Sequence, residues 1–241
     1  MNESCLIEVA IAKTEKYASR ESGDTVELIE RPSGGFTIVM IDGQGSGRAA
    51  KTLSLLLSSK AVALVKEGVR DGVVARATHD YLFAFRHGQV SATLDLLSLD
   101  LKTSTIVITR NAEAPMLLLD EQGARAVDTT AGPIGRYRWT KPVVSQFPMI
   151  PGTQLVLFTD GIAHSGRRKN LPEPDFDAMA GEHLGNGRTA QQIADAILDV
   201  GMERDGHHPG DDMAVVVLNL IAVEHSTAPV IRRMQAQIPI R

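Results

Sequence analysis

Short apolar runs alternate with polar turns along most of the chain, and this pattern predicts ten β-strands. Runs rich in valine, isoleucine and leucine, bounded by glycine, proline or aspartate, are typical of strands that are buried on at least one face. The predicted strands are residues 6–12, 25–30, 36–41, 90–99, 104–109, 115–119, 124–127, 143–147, 154–159 and 213–223.

Apolar residues spaced three and four positions apart predict four helices. The longest covers residues 46–67, and Asp71 is expected to cap a second helix that ends near His87. A short helix is predicted from Asp175 to His183, and Thr189 is expected to cap a last helix that stops at Gly201. Two consecutive helices that follow three strands do not match the strict alternation of a doubly wound fold, so the pattern indicates an α+β class.

Composition and charge exclude several classes of protein. The chain has 241 residues, a net charge of −4 and a single cysteine, Cys5, so it can form neither an intrachain disulfide nor a cysteine-rich zinc site. The chain contains no stripe of basic residues, and this argues against a nucleic-acid partner. The N-terminus lacks a secretory pattern, and no apolar run approaches the roughly 18 residues that span a bilayer. We therefore expect a soluble cytoplasmic protein without a membrane partner.

Four aspartates share a position where a turn meets a predicted strand, and each has a glycine beside it. They are Asp24, Asp42, Asp160 and Asp211. The first two lie at the ends of neighbouring antiparallel strands, where their side chains could meet. Clustered carboxylates repel one another, and hard divalent cations are the usual compensation. Two such ions about 3.5–4 Å apart can clamp a phosphoryl group. Spacing alone leaves open whether all four acids converge.

Gly43, Gly45 and Gly47 follow the third predicted strand and precede a helix, as in a nucleotide-binding loop. The dinucleotide fingerprint would require glycine where Arg48 stands. A phosphate-binding P-loop would require a Gly-Lys-Ser/Thr sequence, which this stretch lacks. The register therefore disfavours nucleotide binding, and an ordinary tight turn remains the plain alternative.

Three segments together resemble the signature motifs of the metal-dependent Ser/Thr protein phosphatase (PPM) family. They are Asp42-Gly-Gln-Gly-Ser-Gly-Arg-Ala-Ala50, Phe158-Thr-Asp-Gly-Ile162 and Gly210-Asp-Asp-Met-Ala-Val-Val-Val217. Ser22-Gly-Asp24, Asn111–Leu118 and Gly132-Pro-Ile-Gly135 are similar to further motifs of the bacterial branch typified by the stage II sporulation protein E phosphatase domain. The similarity keeps the family order over about residues 5–222, and the chain looks like the small stand-alone members of this branch that act in the stressosome.

The resemblance implies a four-layer α-β-β-α sandwich of two antiparallel sheets flanked by helices. It implies a phosphatase domain over residues 1–222 and a C-terminal tail over residues 223–241. It also implies two Mn²⁺ or Mg²⁺ ions, both of which Asp42 would bind. Asp160 and Asp211 would complete the protein ligands of one ion. Asp24 and the Gly43 carbonyl would bind the other. Asp42, Asp160 and Asp211 would thus form the catalytic set. The implied substrate is phosphoserine or phosphothreonine on a STAS-domain protein of a stressosome or partner-switching pathway.

The chain departs from the family pattern at positions that affect rate and substrate. Gln44 stands where the animal branch carries a histidine that protonates the leaving group, and His164 stands where an acid often follows the second motif. These departures keep an alternative open, namely an inactive phosphatase fold that only docks its partner. Asp212 is expected to support the site rather than to bind metal. The basic residues 167–169 are interpreted as a solvated loop, with docking of an acidic phosphoprotein as the alternative.

Overall fold

Two five-stranded antiparallel sheets form the centre of the protein in a computed structural model that describes residues 4–224 and 231–238. The strands are β1 Ser4–Thr14, β2 Asp24–Glu30, β3 Phe36–Gly43, β4 Ala92–Asp100, β5 Thr105–Asn111, β6 Met116–Asp120, β7 Gly123–Val127, β8 Val143–Pro148, β9 Gln154–Phe158 and β10 Met213–Val223. The helices are α1 Gly47–Lys66, α2 Asp71–Arg86, α3 Asp160–Ala163, α4 Phe176–His183 and α5 Ala190–Arg204, with a 3₁₀ turn at Arg167–Lys169.

The sheets have the strand orders β2-β3-β4-β5-β8 and β1-β10-β9-β6-β7. Helices α1 and α2 cover the first sheet, and α4 and α5 cover the second. The side chains of β3 point alternately to the two faces of its sheet, and this explains the four layers. Val39 and Ile41 pack beneath α1, whereas Ile38 and Met40 face the other sheet. The predicted α-β-β-α sandwich is therefore confirmed.

Two helix boundaries differ from the sequence prediction for reasons of packing. Asp71 does not cap α2, because Arg70 occupies the N-cap and the buried Asp71 carboxylate pairs with Arg31 on the β2–β3 hairpin. Helix α5 continues through Gly201 to Arg204. A Cβ on Gly201 would lie 2.6 Å from the Ile162 side chain, so this glycine permits close packing instead of ending the helix.

The predicted tail falls partly on residues 225–230 and 239–241, which lie outside the described residues. Val223 is the last residue of β10, and residues 231–238 form neither helix nor strand. The Arg232 guanidinium lies 5.2 Å from the centre of the Phe36 ring and 3.8 Å from Glu30. None of the helices in the described ranges is both long enough and apolar enough to cross a membrane.

Candidate metal centre

The first sheet supplies two of the four aspartates at one of its ends. The antiparallel register of β2 and β3 places Asp24 directly opposite Asp42. Asp24 is fully buried, whereas Asp42 is partly exposed. The predicted position of these two residues at the ends of neighbouring antiparallel strands is confirmed.

The second sheet supplies the other two aspartates at the same edge of the sandwich. Strand β9 ends beside the start of β10, with Phe158 opposite Val215. Asp160 therefore follows one strand, and Asp211 precedes its neighbour.

These chain ends enclose a cavity of about 230 Å³ that is lined by Asp42, Asp160 and Asp211. Gln44, Glu113 and His164 also line it. Asp24 and Gly43 are buried and do not form part of the lining. A larger groove of about 540 Å³ lies at the opposite end of β9, and its residues include Asp120 paired with Arg125. The smaller cavity is the one in which acidic side chains from both sheets meet.

Thr159 fixes the orientation of the buried Asp24 carboxylate. The Thr159 hydroxyl donates to Asp24 Oδ2 at 2.9 Å and accepts from the Ala214 amide at 2.9 Å. Within the described residues, Asp24 Oδ1 has no hydrogen-bond partner. Lys13 and Lys51 each donate to the Asp24 backbone carbonyl at 2.9 Å, so they do not neutralise the carboxylate by direct contact.

Burial and mutual repulsion favour the protonated forms of Asp24, Asp42 and Asp211 in the metal-free protein. Burial raises the pKa of Asp24 to about 7, although the Thr159 hydrogen bond opposes this change. Burial also raises the pKa of Asp42 well above its ordinary value, and Asp24, Asp160 and Asp211 add to the effect. The pKa of Asp211 is raised by burial and by Asp160, against the hydrogen bond from the Asp212 amide.

Asp212 supports the site through backbone contacts, as predicted from the sequence. Its Oδ1 accepts from the Lys16 amide at 2.9 Å, and its Oδ2 accepts from the Gly23 amide at 2.8 Å. Asp212 thereby connects the start of β10 to the segment that enters β2, and so holds Asp24 close to Asp211.

Asp205 is a supporting residue that was not predicted from the sequence. Its Oδ1 accepts from the Gly166 amide at 2.7 Å and its Oδ2 from the Gly210 amide at 2.5 Å. One carboxylate thus joins the loop that follows Asp160 to the loop that precedes Asp211. No motif marks Asp205, because its two partners are 39 and 5 residues away in the chain.

The basic loop at residues 167–169 is partly engaged within the chain. Arg168 donates to the Gly210 carbonyl at 2.7 Å, and Arg167 pairs with Glu173 at 2.8 Å. Arg168 therefore adds a second connection between this loop and the residue before Asp211. This arrangement favours a structural role for Arg168 over docking of an acidic partner.

Two of the glycines beside the aspartates are required by close backbone approach. A Cβ on Gly43 would lie 2.6 Å from the Ala50 carbonyl oxygen in the first turns of α1. A Cβ on Gly161 would lie 2.0 Å from the Asp212 carbonyl oxygen. Both distances are shorter than real Cβ contacts, so any larger residue would separate the elements that carry the acids.

The donor set fits a hard divalent cation. Its carboxylates all offer oxygen, the ligand atom that Mg²⁺, Mn²⁺ and Ca²⁺ prefer. Among the described residues Asp24 Oδ1 has no partner, and burial together with neighbouring acids raises the pKa of Asp24 and of Asp42, so a bound cation would stabilise both carboxylates. Across residues 4–224 and 231–238, no three His, Cys, Asp or Glu side chains already form a group that could hold an ion.

Comparison with known proteins gives a family match and similar folds. Residues 32–221 match the family model described as stage II sporulation protein E (SpoIIE). Stage II sporulation protein E of Priestia megaterium is 23% identical over 229 residues, which cover 92% of this chain and 37% of that protein. The chain thus spans little more than a third of the length of this relative.

Two solved structures illustrate the similarity in fold. The first contains the PP2C phosphatase domain and a regulatory fragment of SpoIIE from Bacillus subtilis, with a TM-score of 0.78 and 20% identity over 92% of this chain and 66% of that one. The second is RsbX in complex with magnesium, with a TM-score of 0.68 and 15% identity over 89% of this chain and 99% of that one. The two-sheet architecture is therefore that of PP2C phosphatase domains.

Proposed function

This chain belongs to the stage II sporulation protein E (SpoIIE) family, and we propose that it is an active, metal-dependent protein serine/threonine phosphatase. The observation that carries the proposal is the shared cavity of Asp42, Asp160 and Asp211, which come from different sheets. Among the described residues, the only ion pair of these acids with lysine or arginine is Lys16–Asp211, at 4.0 Å. Because so little of the negative charge of these acids is neutralised by ion pairs, the cluster is suited to divalent cations.

The proposed metal ligands are Asp42, Asp160 and Asp211 from the cavity wall, with Asp24 and the Gly43 carbonyl behind them. When bound, two Mn²⁺ or Mg²⁺ ions would neutralise the carboxylates and polarise the phosphate ester. Thr159 would hold Asp24 in one orientation, leaving Asp24 Oδ1 available. Gln44 accepts hydrogen bonds from the Ser91 amide at 2.8 Å and the Ser91 hydroxyl at 3.2 Å, so its side chain forms a fixed part of the cavity rim.

The proposed substrate is phosphoserine or phosphothreonine on a bacterial regulatory protein, namely a STAS-domain protein of a stressosome or partner-switching pathway. Family membership and the order of the motifs support this assignment. The proposal places the catalytic unit at residues 1–222 and the protein in the cytoplasm, without nucleic-acid or membrane partners.

The proposal is tested by hydrolysis of p-nitrophenyl phosphate with Mn²⁺, with Mg²⁺ and with a chelator. We expect turnover only with metal, and a loss of more than about 100-fold in the Asp42→Ala variant, since even residues that only support metal ligands account for 10–100-fold. Asp199→Ala, an exposed acid on α5, is the matched control and should retain full activity.

Turnover that persists with chelator, or in the Asp42→Ala variant, would contradict the proposed metal site. Binding of a phosphorylated STAS-domain protein without any turnover would instead support the inactive docking module.

A further inference from the structure

Residues 136–141, with the sequence Arg-Tyr-Arg-Trp-Thr-Lys, form an exposed loop between β7 and β8 that we call the arginine–aromatic loop. It carries three positive charges in a chain whose net charge is −4. No aspartate or glutamate occurs between Asp128 and Asp160, so the loop has no acidic neighbour in sequence. In the described ranges, neither Arg136 nor Arg138 forms a salt bridge.

The guanidinium of each arginine in this loop lies over the aromatic ring of the residue that follows it. The Arg136 guanidinium lies 5.8 Å from the centre of the Tyr137 ring, and that of Arg138 lies 5.2 Å from the Trp139 ring. Tyr137 is 64% exposed and Trp139 is 71% exposed. A guanidinium over a ring face keeps its N–H groups available for a carboxylate, which it can bind through two hydrogen bonds. Arginine, tyrosine and tryptophan are also the residue types that most often dominate binding energy at protein interfaces.

The base of the loop is anchored to the wall of the acidic cavity. Pro133 and Ala92 both line the cavity, and Ala92 exchanges backbone hydrogen bonds of 3.1 and 2.8 Å with Ile134. The Asn111 amide closes the base of the loop by donating to the Gly132 carbonyl at 3.0 Å and the Lys141 carbonyl at 3.3 Å. The buried His79 accepts from the Gly135 amide at 3.0 Å. A fixed base thus presents exposed side chains beside the cavity.

We propose that the arginine–aromatic loop docks an acidic segment of the phosphoprotein substrate next to the phosphorylated residue. This inference rests on the proposed phosphatase function of the cavity. Trp139 is six residues after Pro133, so it lies within about 20 Å of the cavity rim even if the chain were fully extended. Carboxylates within about six residues of the phosphoserine can therefore reach the loop.

A protein partner agrees better with this geometry than an anionic membrane does. The three charges of this loop lie within six residues, and the loop adjoins a cavity suited to a phosphate ester. The basic loop at residues 167–169 is less suited to this role, because Arg167 already pairs with Glu173 and Arg168 already donates to the Gly210 carbonyl.

Trp139 is the only tryptophan of the chain, so its fluorescence reports on this loop alone. The probe is a phosphoserine peptide with four glutamates within six residues of the phosphoserine, compared with a peptide in which glutamine replaces every glutamate. We expect the acidic peptide to change the Trp139 emission and to bind at least 10-fold more tightly than the neutral one. This preference should weaken as salt is raised.

The Arg136→Gln/Arg138→Gln variant keeps Trp139 and should lose the preference. Lys66→Gln/Lys102→Gln is the matched control, since it removes two exposed charges from the far end of α1 and from the β4–β5 turn. Circular dichroism of both variants checks that they fold. Equal binding of the two peptides by the wild-type protein, or an unchanged preference in the arginine variant, would overturn the proposal. A change of Trp139 emission with phosphatidylserine vesicles but not with the acidic peptide would also overturn it.

Activity measurements separate this proposal from the proposed function itself. With metal, the arginine variant should hydrolyse p-nitrophenyl phosphate within about twofold of the wild-type rate, while kcat/KM for the acidic phosphopeptide falls at least 10-fold. If neither the wild-type protein nor the variant turns over any substrate, the phosphatase proposal fails, whereas the fluorescence titration still decides whether the loop binds acidic segments. An equal loss on both substrates would show that the loop acts on the site itself and not as a docking surface.

Discussion

Replacing Asp24 with asparagine should stabilise the metal-free protein at alkaline pH. Asp24 is completely buried, and its pKa is raised from 3.8 to about 7. Each pKa unit corresponds to about 1.36 kcal/mol, so the ionised form costs about 4 kcal/mol of folding stability above pH 7. Because the folded protein binds the proton more tightly than the unfolded chain, this cost grows as pH rises from about 4 to 7.

The neutral side chain of the Asp24→Asn variant avoids this cost. Its amide oxygen can still accept from Thr159, while its NH₂ group would face the position of the unpartnered Oδ1. An unsatisfied amide offsets the gain by about 1–3 kcal/mol at every pH. Part of the aspartate's cost is already present at pH 5, so the advantage of the variant should increase by roughly 2–3 kcal/mol between pH 5 and pH 8.

Urea unfolding of the chelator-treated proteins at pH 5 and pH 8 measures this difference directly. The pH-dependent part of the comparison is decisive, because the amide penalty is the same at both values. If the free-energy difference between variant and wild type is unchanged from pH 5 to pH 8, then Asp24 is not held protonated by burial and by its acidic neighbours. Adding Mn²⁺ at pH 8 should stabilise the wild type more than the variant, since the ion replaces the proton on Asp24.

Two further predictions concern residues that support the site or the core. Asp205→Asn leaves one of the two bound amides without an acceptor, so we expect a loss of about 1–3 kcal/mol in urea unfolding and a rise in the Mn²⁺ concentration needed for half-maximal activity. An unchanged metal requirement would show that Asp205 does not position the two loops. Asp95→Ala leaves the buried Arg110 guanidinium uncompensated, which should cost about 3–5 kcal/mol. The control Asp120→Ala, which breaks the more exposed pair with Arg125, should cost no more than about 1 kcal/mol.

Local features of the sequence predicted most of the fold because they depend on neighbours in the chain. In the part of the chain that the structure describes, the period of apolar residues located all ten strands and four of the five helices within a few residues. Thr189 caps its helix as predicted, since N-capping involves a donor only three residues away. The register of the β2–β3 hairpin likewise followed from its short connection, which set Asp24 opposite Asp42.

The sequence by itself thus determined the alternation of the strands and the positions of four aspartates beside glycines at strand ends. Only the tertiary structure decided that β9 lies next to β10, because strand neighbours distant in the chain are selected by packing of the whole core. That pairing brings Asp160 and Asp211 to one cavity, buries Asp24 behind its wall and places Asp205 between two loops. These contacts join residues that are tens of positions apart in the chain, so no local period or spacing of residues predicts them.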